Sequence, residues 1–328
     1  MYRALVSLAA VVLVLDAAAC AKRTDLQTPP AAAQKSSAAT AVTLWEQPAN
    51  LSERNLYDGP WGARNAPDPK DVFTFVERKH SGVNLGMTVV DSRGREWSVK
   101  QGYPSGLDNE APVEVVMSRL LSAIGYHQPP VYYLPNFTLK DDWGTHTEPG
   151  GRFRLKEETL KDEGPWQWND NPFADSRPLR GLLVILTMAN SNDLKDSNNS
   201  IYESRANGRT ERWYVARDIG SALGDNNLIA PRKNNYPAFE REPFILGEQN
   251  GYVQFASYRL YGGLVRDRIT REDVVWASDL LSRLSERQWQ DAFRAGGYSP
   301  QVANQFIRKF REKIRQGQDL SRRASTAP

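Results

Sequence analysis

Residues 191–203 read SNDLKDSNNSIYE. The fold turns on whether this stretch is a catalytic loop or a polar turn after a buried helix. An Asp followed five residues later by Asn, as in Asp193 and Asn198, arises about once by chance in a chain of this length, so the string alone decides nothing. The segment LRGLLVILTMANS (179–191) before it is apolar nearly all round, which predicts a central buried helix. Behind it, Ser200–Ser204 and Glu211–Arg217 read as short strands around the turn Ala206–Asn207–Gly208, and Asp218–Ile219–Gly220 follows directly.

Upstream the hydrophobic period changes to two. Asp71–Arg78, Gly86–Val90 and Glu96–Lys100 alternate apolar and polar residues and predict three strands of a meander. Val113, Val116, Met117, Leu120, Leu121 and Ile124 then recur at helical spacing, with Pro112 in the first turn and Gly125 at the end. Pro129–Phe137 and Gly151–Glu157 read as two more strands, with KDDWGTHTEPG as a loop between them. The order β-β-β-α-β-β predicts an α+β lobe, one antiparallel sheet with a helix on one face. Downstream of Asp218, residues 225–251 read as a Pro/Asn-rich loop. The segments YVQFASYRLYGGLV (252–265), REDVVWASDLLSRL, ERQWQDAFRAGG and SPQVANQFIRKFREKIRQG read as helices, the last with an apolar stripe of Phe306, Phe310 and Ile314.

Composition bounds the function. A chain of 328 residues with 40% hydrophobic and 25% charged residues is long enough for a sizeable core. A net charge of +3 gives no argument for nucleic acid. A single cysteine, Cys20, excludes an intrachain disulfide framework and a Cys-rich zinc site. His80, His127 and His146 are scattered, without metal-ligand spacing. The start combines Arg3, the apolar run ALVSLAAVVLVL and small residues before Cys20, the pattern of a secretory signal over residues 1–19. The junction resembles a bacterial lipoprotein box with Cys20 as the lipidated residue, although Ala17 stands where Leu is usual and Asp16 interrupts the apolar side; cleavage after Ala19 with a free Cys is the plainer alternative. Residues 20–45 read as a flexible tether, 46–158 as a lead-in and β-rich lobe, 159–316 as a helical lobe, and 317–328 as a disordered tail.

These elements, with Lys100 in WSVK, Glu114 in VEVVMSRLL, Asp193 and Asn198 in NDLKDSN, and Asp218 in RDIG, resemble the two-lobed protein-kinase-like fold. The expected architecture is a five-stranded antiparallel N-lobe with one helix and a mainly helical C-lobe. DLKDSN is similar to the kinase catalytic-loop string D-L-K-P-E-N, and RDIG to D-F-G. The resemblance implies that Lys100 meets nucleotide phosphates and is fixed by Glu114, with Glu110 as the competing helix acid. It implies that Asp193 orients the attacking hydroxyl, that Lys195 offsets charge on the transferred group, and that Asn198 and Asp218 hold Mg²⁺ or Mn²⁺ with ATP or another phosphate donor. Each residue alone has a plainer reading, as a strand-end lysine, a helix-surface acid or a turn former.

The departures are specific. The loop Ser81–Gly86, with Gly82 and Gly86 as expected phosphate contacts, lacks G-x-G-x-x-G and is closer to the short loops of HipA-like kinases. Ser191 and Asn192 replace the usual His-Arg, and no A-P-E string follows Asp218. The resemblance is therefore to the atypical group that includes HipA-like, phosphoinositide-kinase-like and secretory-pathway kinases. The expected protein is exported, lipid-anchored in the cell envelope, and acts on a hydroxyl-bearing substrate or protein partner of unknown identity, its only membrane contact the anchor. Export sets it where ATP is scarce, so a non-catalytic envelope protein using the same cleft for a ligand or partner is the alternative.

Overall fold

The alternating segments of the first half close on themselves. A computed structural model describes residues 40–79, 86–102, 109–206, 208–225, 227, 231–256 and 261–324; Cys20 and Gly82 lie outside the described residues. After a short strand β1 (Ala41–Thr43) and two 3-10 turns (Leu51–Glu53, Ala63–Asn65) come β2 (Val72–Arg78), β3 (Gly86–Val90), β4 (Glu96–Gln101), helix α1 (Glu110–Ala123), β5 (Val131–Asp141) and β6 (Gly144–Leu155). The strands pair in the order β2-β3-β4-β6-β5, and a parallel pairing of β2 with β5 shuts the sheet into a barrel. The expected five-stranded antiparallel sheet is corrected on this point: β2 and β5 pair in parallel and the strands close. Closure removes the two edges an open sheet would present. The expected loop KDDWGTHTEPG is instead the tip of a long hairpin, whose pairing runs to Asp141 opposite Gly144.

Side-chain alternation then divides the barrel. Phe73, Val89, Trp97, Val99 and Phe153 are completely buried inside it, with the Phe73 and Phe153 rings 5.0 Å apart. Lys100 pairs with Arg152 and Ser98 with Arg154 across β4 and β6, so these four residues share the opposite face. Helix α1 packs on β4, β5 and β6. The Asn109 side chain caps it by accepting from Ala111 N at 3.0 Å, and every one of its residues is buried.

The second half follows as β7 (Leu160–Gly164), α2 (Arg177–Met188), a 3-10 turn at Asp196–Asn198, β8 (Asn199–Ala206), β9 (Arg209–Ala216), α3 (Tyr236–Arg241), β10 (Ile245–Gln249) and β11 (Tyr252–Phe255). Then come a 3-10 turn (Gly262–Leu264), α4 (Arg271–Ser282), α5 (Glu286–Ala295) and α6 (Pro300–Ala324). Helix α2 is central: Leu179 and residues 181–188 are buried, as its sequence predicts. A second sheet, β1-β9-β8-β7, carries the hairpin after the Asp193 loop.

Three expectations change here. Ala41–Thr43, read as the end of the tether, is a strand paired in parallel with β9. The expected helix over 252–265 begins instead as β11, hairpinned to β10 through Asn250 (φ 53°) and Gly251 (φ 84°), so the expected 225–251 loop contains α3 and β10. Helix α6 does not stop at Gly317. A Cβ there would lie 2.0 Å from Ser278 Oγ, so the glycine lets α6 cross close to α4, and the stripe of Phe306, Phe310 and Ile314 continues to a buried Leu320.

Candidate functional site

Lys100 leaves β4 toward the N-terminal end of α1. Its Nζ lies 2.7 Å from Glu110 Oε2 and 3.7 Å from Glu114 Oε2. Lys100 thus pairs with the expected Glu114 and, more closely, with Glu110, the competing acid one helical turn earlier. Burial would lower the Lys100 pKa, but Glu114, Asp218 and Glu110 outweigh it and hold the ammonium above the ordinary lysine value. Burial would likewise raise Glu110, and Lys100 and Lys233, which also bonds Glu110, bring it below the usual carboxylate range.

Glu114 is taken up by two arginines that sequence reading gave no role. Arg152 Nε lies 2.9 Å and Arg154 Nη2 2.7 Å from Glu114 Oε1, and all three side chains are almost wholly buried. The same Arg154 nitrogen stands 3.3 Å from Asp218 Oδ1. Lys79, at the end of β2, reaches the same face and donates to Ser98 Oγ at 2.7 Å. Burial of its ammonium, then Arg152, Arg154 and Arg217, push Lys79 down to about 8. In GRFRLKE a barrel-facing Phe153 separates them, so period two places both arginines on one face, although nothing in the string records that α1 buries that face. Gly86 pairs directly with Lys100 across β3 and β4 and lies beneath the Lys79 side chain.

Asp218 reaches this cluster because its segment runs against α1. A Cβ at Gly220 would lie 2.8 Å from the Glu110 Cβ and carbonyl oxygen, so only glycine allows this approach. Burial would raise the Asp218 pKa, but Arg154, Lys100, Arg152 and Arg217 hold it well below the usual carboxylate range. Two residues beyond Ser221, Leu223 adopts φ 58°, a strained conformation for a bulky side chain, fixed by Leu223 N donating to Ala189 O at 2.9 Å and Asn235 N to Leu223 O at 2.7 Å.

The Asp193 loop is tied to the same segment. At the end of α2, Asn190 turns the chain with φ 54°; Lys313 Nζ donates to its Oδ1 at 2.8 Å, and its Nδ2 donates to Gly224 O at 2.7 Å. Asn192 N donates to Ser221 O at 3.0 Å. Asn198 is the hub: its Nδ2 donates to Asp193 O at 2.6 Å, while its own carbonyl accepts from Arg217 N at 3.1 Å and Asp218 N at 3.0 Å. Asp193 Oδ1 meets Lys195 Nζ at 3.0 Å and the Tyr261 hydroxyl at 3.2 Å. Burial and the Asp193 charge raise Tyr261 to about 12, so it stays a hydrogen-bond donor at neutral pH. Among the described residues no donor reaches Asp193 Oδ2, which leaves that oxygen for a proton or a substrate hydroxyl.

A divalent cation fits this donor set poorly. Asp218 and Asn198 are the two expected ligands, and Asp218 Oδ1 is already paired with Arg154. Lys100, Arg152, Arg154 and Arg217 all act on the Asp218 carboxylate, and their charge opposes a dication beside it. Among the described residues no group of three or more His, Cys, Asp or Glu side chains could hold a metal ion.

No protein-family model and no curated protein matches this chain. Among solved structures, the crystal structure of a Helicobacter pylori proinflammatory kinase, CtkA, is similar at 12% sequence identity, over 77% of this chain and 99% of that chain, with a TM-score of 0.38. That likeness is too loose to carry a functional conclusion.

Proposed function

We propose that the cleft lined by Lys100, Arg154, Asp193 and Asp218 binds a phosphate donor and transfers a phosphoryl group to a hydroxyl. The observation that carries this reading is the Asn198 hub, which bonds the Asp193 carbonyl with its side chain and the Asp218 amide with its backbone. It couples an open carboxylate oxygen on one loop to the segment that meets the Lys100–Arg154 cluster. Phosphoryl transfer asks for this combination of fixed positive charge and a positioned base.

In the step itself, the hydroxyl oxygen attacks the terminal phosphorus as its proton passes to Asp193 Oδ2. The new P–O bond forms as the bond to the donor's bridging oxygen breaks. Lys195 offsets charge on the moving group, while Lys100 and Arg154 offset charge on the phosphate left behind. The chain is taken as exported and anchored through Cys20, on the signal-like residues 1–19; Cys20→Ala is then expected to move it from the membrane to the soluble fraction.

The test follows label from terminally labelled ATP and, separately, labelled pyrophosphate onto serine- and threonine-bearing acceptors or the protein itself. Asp193→Asn is expected to bind donor normally and to lower transfer at least about a hundredfold, the usual scale for a lost general base. Transfer unchanged by Asp193→Asn would sink the enzymatic reading. A second reading, a non-catalytic binding protein, is favoured by the Arg154–Asp218 ion pair, which occupies the carboxylate that the kinase resemblance assigns to a metal ion. It expects donor binding without turnover in either protein.

A further inference from the structure

We infer that the cleft takes a polyphosphate group without a divalent cation, with Arg154 standing where a metal ion would otherwise join donor phosphates to Asp218. This rests on the phosphate-donor reading above and concerns what neutralises the donor.

Arg154 spends one terminal nitrogen, Nη2, on both Glu114 and Asp218. No protein group among the described residues bonds its Nη1, and its buried Nε has no partner. Arg217 is committed elsewhere, its Nη1 donating to Asp162 and to the Tyr202 hydroxyl. An unsatisfied buried guanidinium nitrogen is costly, and a bound oxyanion is the partner its planar fork matches best. Lys79, Lys100 and Arg152 add charge on the same side, so that with Arg154 four cations face the three acids Glu110, Glu114 and Asp218. That surplus and the open Arg154 Nη1 favour an anionic ligand, and phosphate oxygens match the guanidinium fork.

As counter-charges, Arg152 answers Glu114 and Arg154 answers Asp218, which leaves Arg154 Nη1 and Nε without a protein partner among the described residues. A metal at Asp218 would first have to displace Arg154 and leave that cation beside a dication. A donor that enters as the free anion meets no such obstacle.

Calorimetric titration of the full-length protein with inorganic pyrophosphate, tripolyphosphate and ATP, each in EDTA and in excess Mg²⁺, tests this. The expected result is binding in EDTA at an affinity within about threefold of that in Mg²⁺, less than 1 kcal/mol. Arg154→Gln is expected to weaken EDTA binding at least about tenfold. Because that variant disturbs a buried pair, Lys79→Met at the rim serves as the second probe and is expected to weaken binding about threefold to tenfold without loss of folding. Binding that appears only with Mg²⁺ overturns the metal-free inference while leaving the donor reading intact. No binding of any polyphosphate in either buffer overturns the donor reading itself. Binding of ATP but neither inorganic anion assigns recognition to the nucleoside and overturns the polyphosphate class.

Discussion

Arg154 Nη2 stands 3.3 Å from Asp218 Oδ1, and this contact joins the barrel to the segment that follows the β8–β9 hairpin. It gives the protein an acid-side pH response. Asp218 has a folded pKa held below its unfolded value of about 4. The pairing therefore adds stability at every pH above that value and loses it as pH falls through the depressed folded value. Asp218→Asn is expected to lower stability by about 1–2 kcal/mol at this half-buried site. Urea unfolding should show a constant gap from neutral pH down to about 5 that closes below about 4. A gap that widens in acid would contradict the sign.

The two acids of α1 should separate in a stability measurement. Glu114→Gln leaves Arg152 and Arg154 buried without their shared counter-charge, and breaking such a pair costs about 3–5 kcal/mol. Glu110→Gln removes a partner of Lys100, which keeps Glu114 at 3.7 Å, so the loss should be smaller and should appear mainly in donor affinity. Equal shifts in the unfolding midpoints of the two variants would show that Lys100, not the arginines, is the chief partner of Glu114.

Lys79 should make donor binding pH-sensitive. Its pKa of about 8 means that the ammonium begins to lose its proton just above neutrality, in the field of Arg152, Arg154 and Arg217, with Asp218 opposing. An added anion favours the protonated form, so pyrophosphate affinity is expected to hold up to about pH 7 and fall through pH 8, by at most about tenfold per unit for one linked proton. The unliganded protein responds the other way: its folded pKa lies below the unfolded one, so this group's contribution to stability rises with pH from 8 toward the ordinary lysine value. The affinity profile of Lys79→Met subtracted from that of the wild type isolates the effect from titration of pyrophosphate. Parallel profiles would remove Lys79 from the site.

Local periodicity explains which parts of this arrangement could be read in advance. The buried α2, the strand carrying Lys100 and the helix carrying both acids announce themselves over six or more residues of regular spacing, because burial imposes the period. Barrel closure does not: β2 and β5 pair across α1, and nothing within either strand records the partner. Strand β1 spans three residues and docks on β9, too short for any period and too distant for a turn signal. The β10–β11 hairpin was legible, since Asn250–Gly251 is a turn pair with both residues at positive φ, but the apolar spacing beyond it suggested a helix instead. At the site, Asp193, Asn198 and Asp218 stood out as a string. Arg152 and Arg154 did not, because a strand arginine is ordinarily solvated and only the docking of α1 buries these two.

Lys313 anchors the loop from the far side. It is completely buried on α6, donates to Met188 O at 2.9 Å and Asn190 Oδ1 at 2.8 Å, and lies 4.2 Å from the centre of the Phe239 ring. These bonds hold the C-terminal end of α2 and the left-handed Asn190 from which the Asp193 loop departs. Burial, with the Lys309 charge adding to it, pushes Lys313 down to about 7, against Glu242, Glu312 and Glu240. The neutral amine still donates both hydrogens, so the anchor survives the loss of charge. Because the folded pKa lies below the unfolded one, stability attributable to this group rises as pH climbs from 7 toward the ordinary lysine value. Lys313→Met strands two buried acceptors at about 1–3 kcal/mol each. Its deficit against wild type should therefore grow between pH 7 and 9 in urea unfolding, and phosphoryl transfer should fall more than donor affinity as Asp193 loses its fixed position. A deficit independent of pH would mean that Lys313 keeps its charge throughout this range.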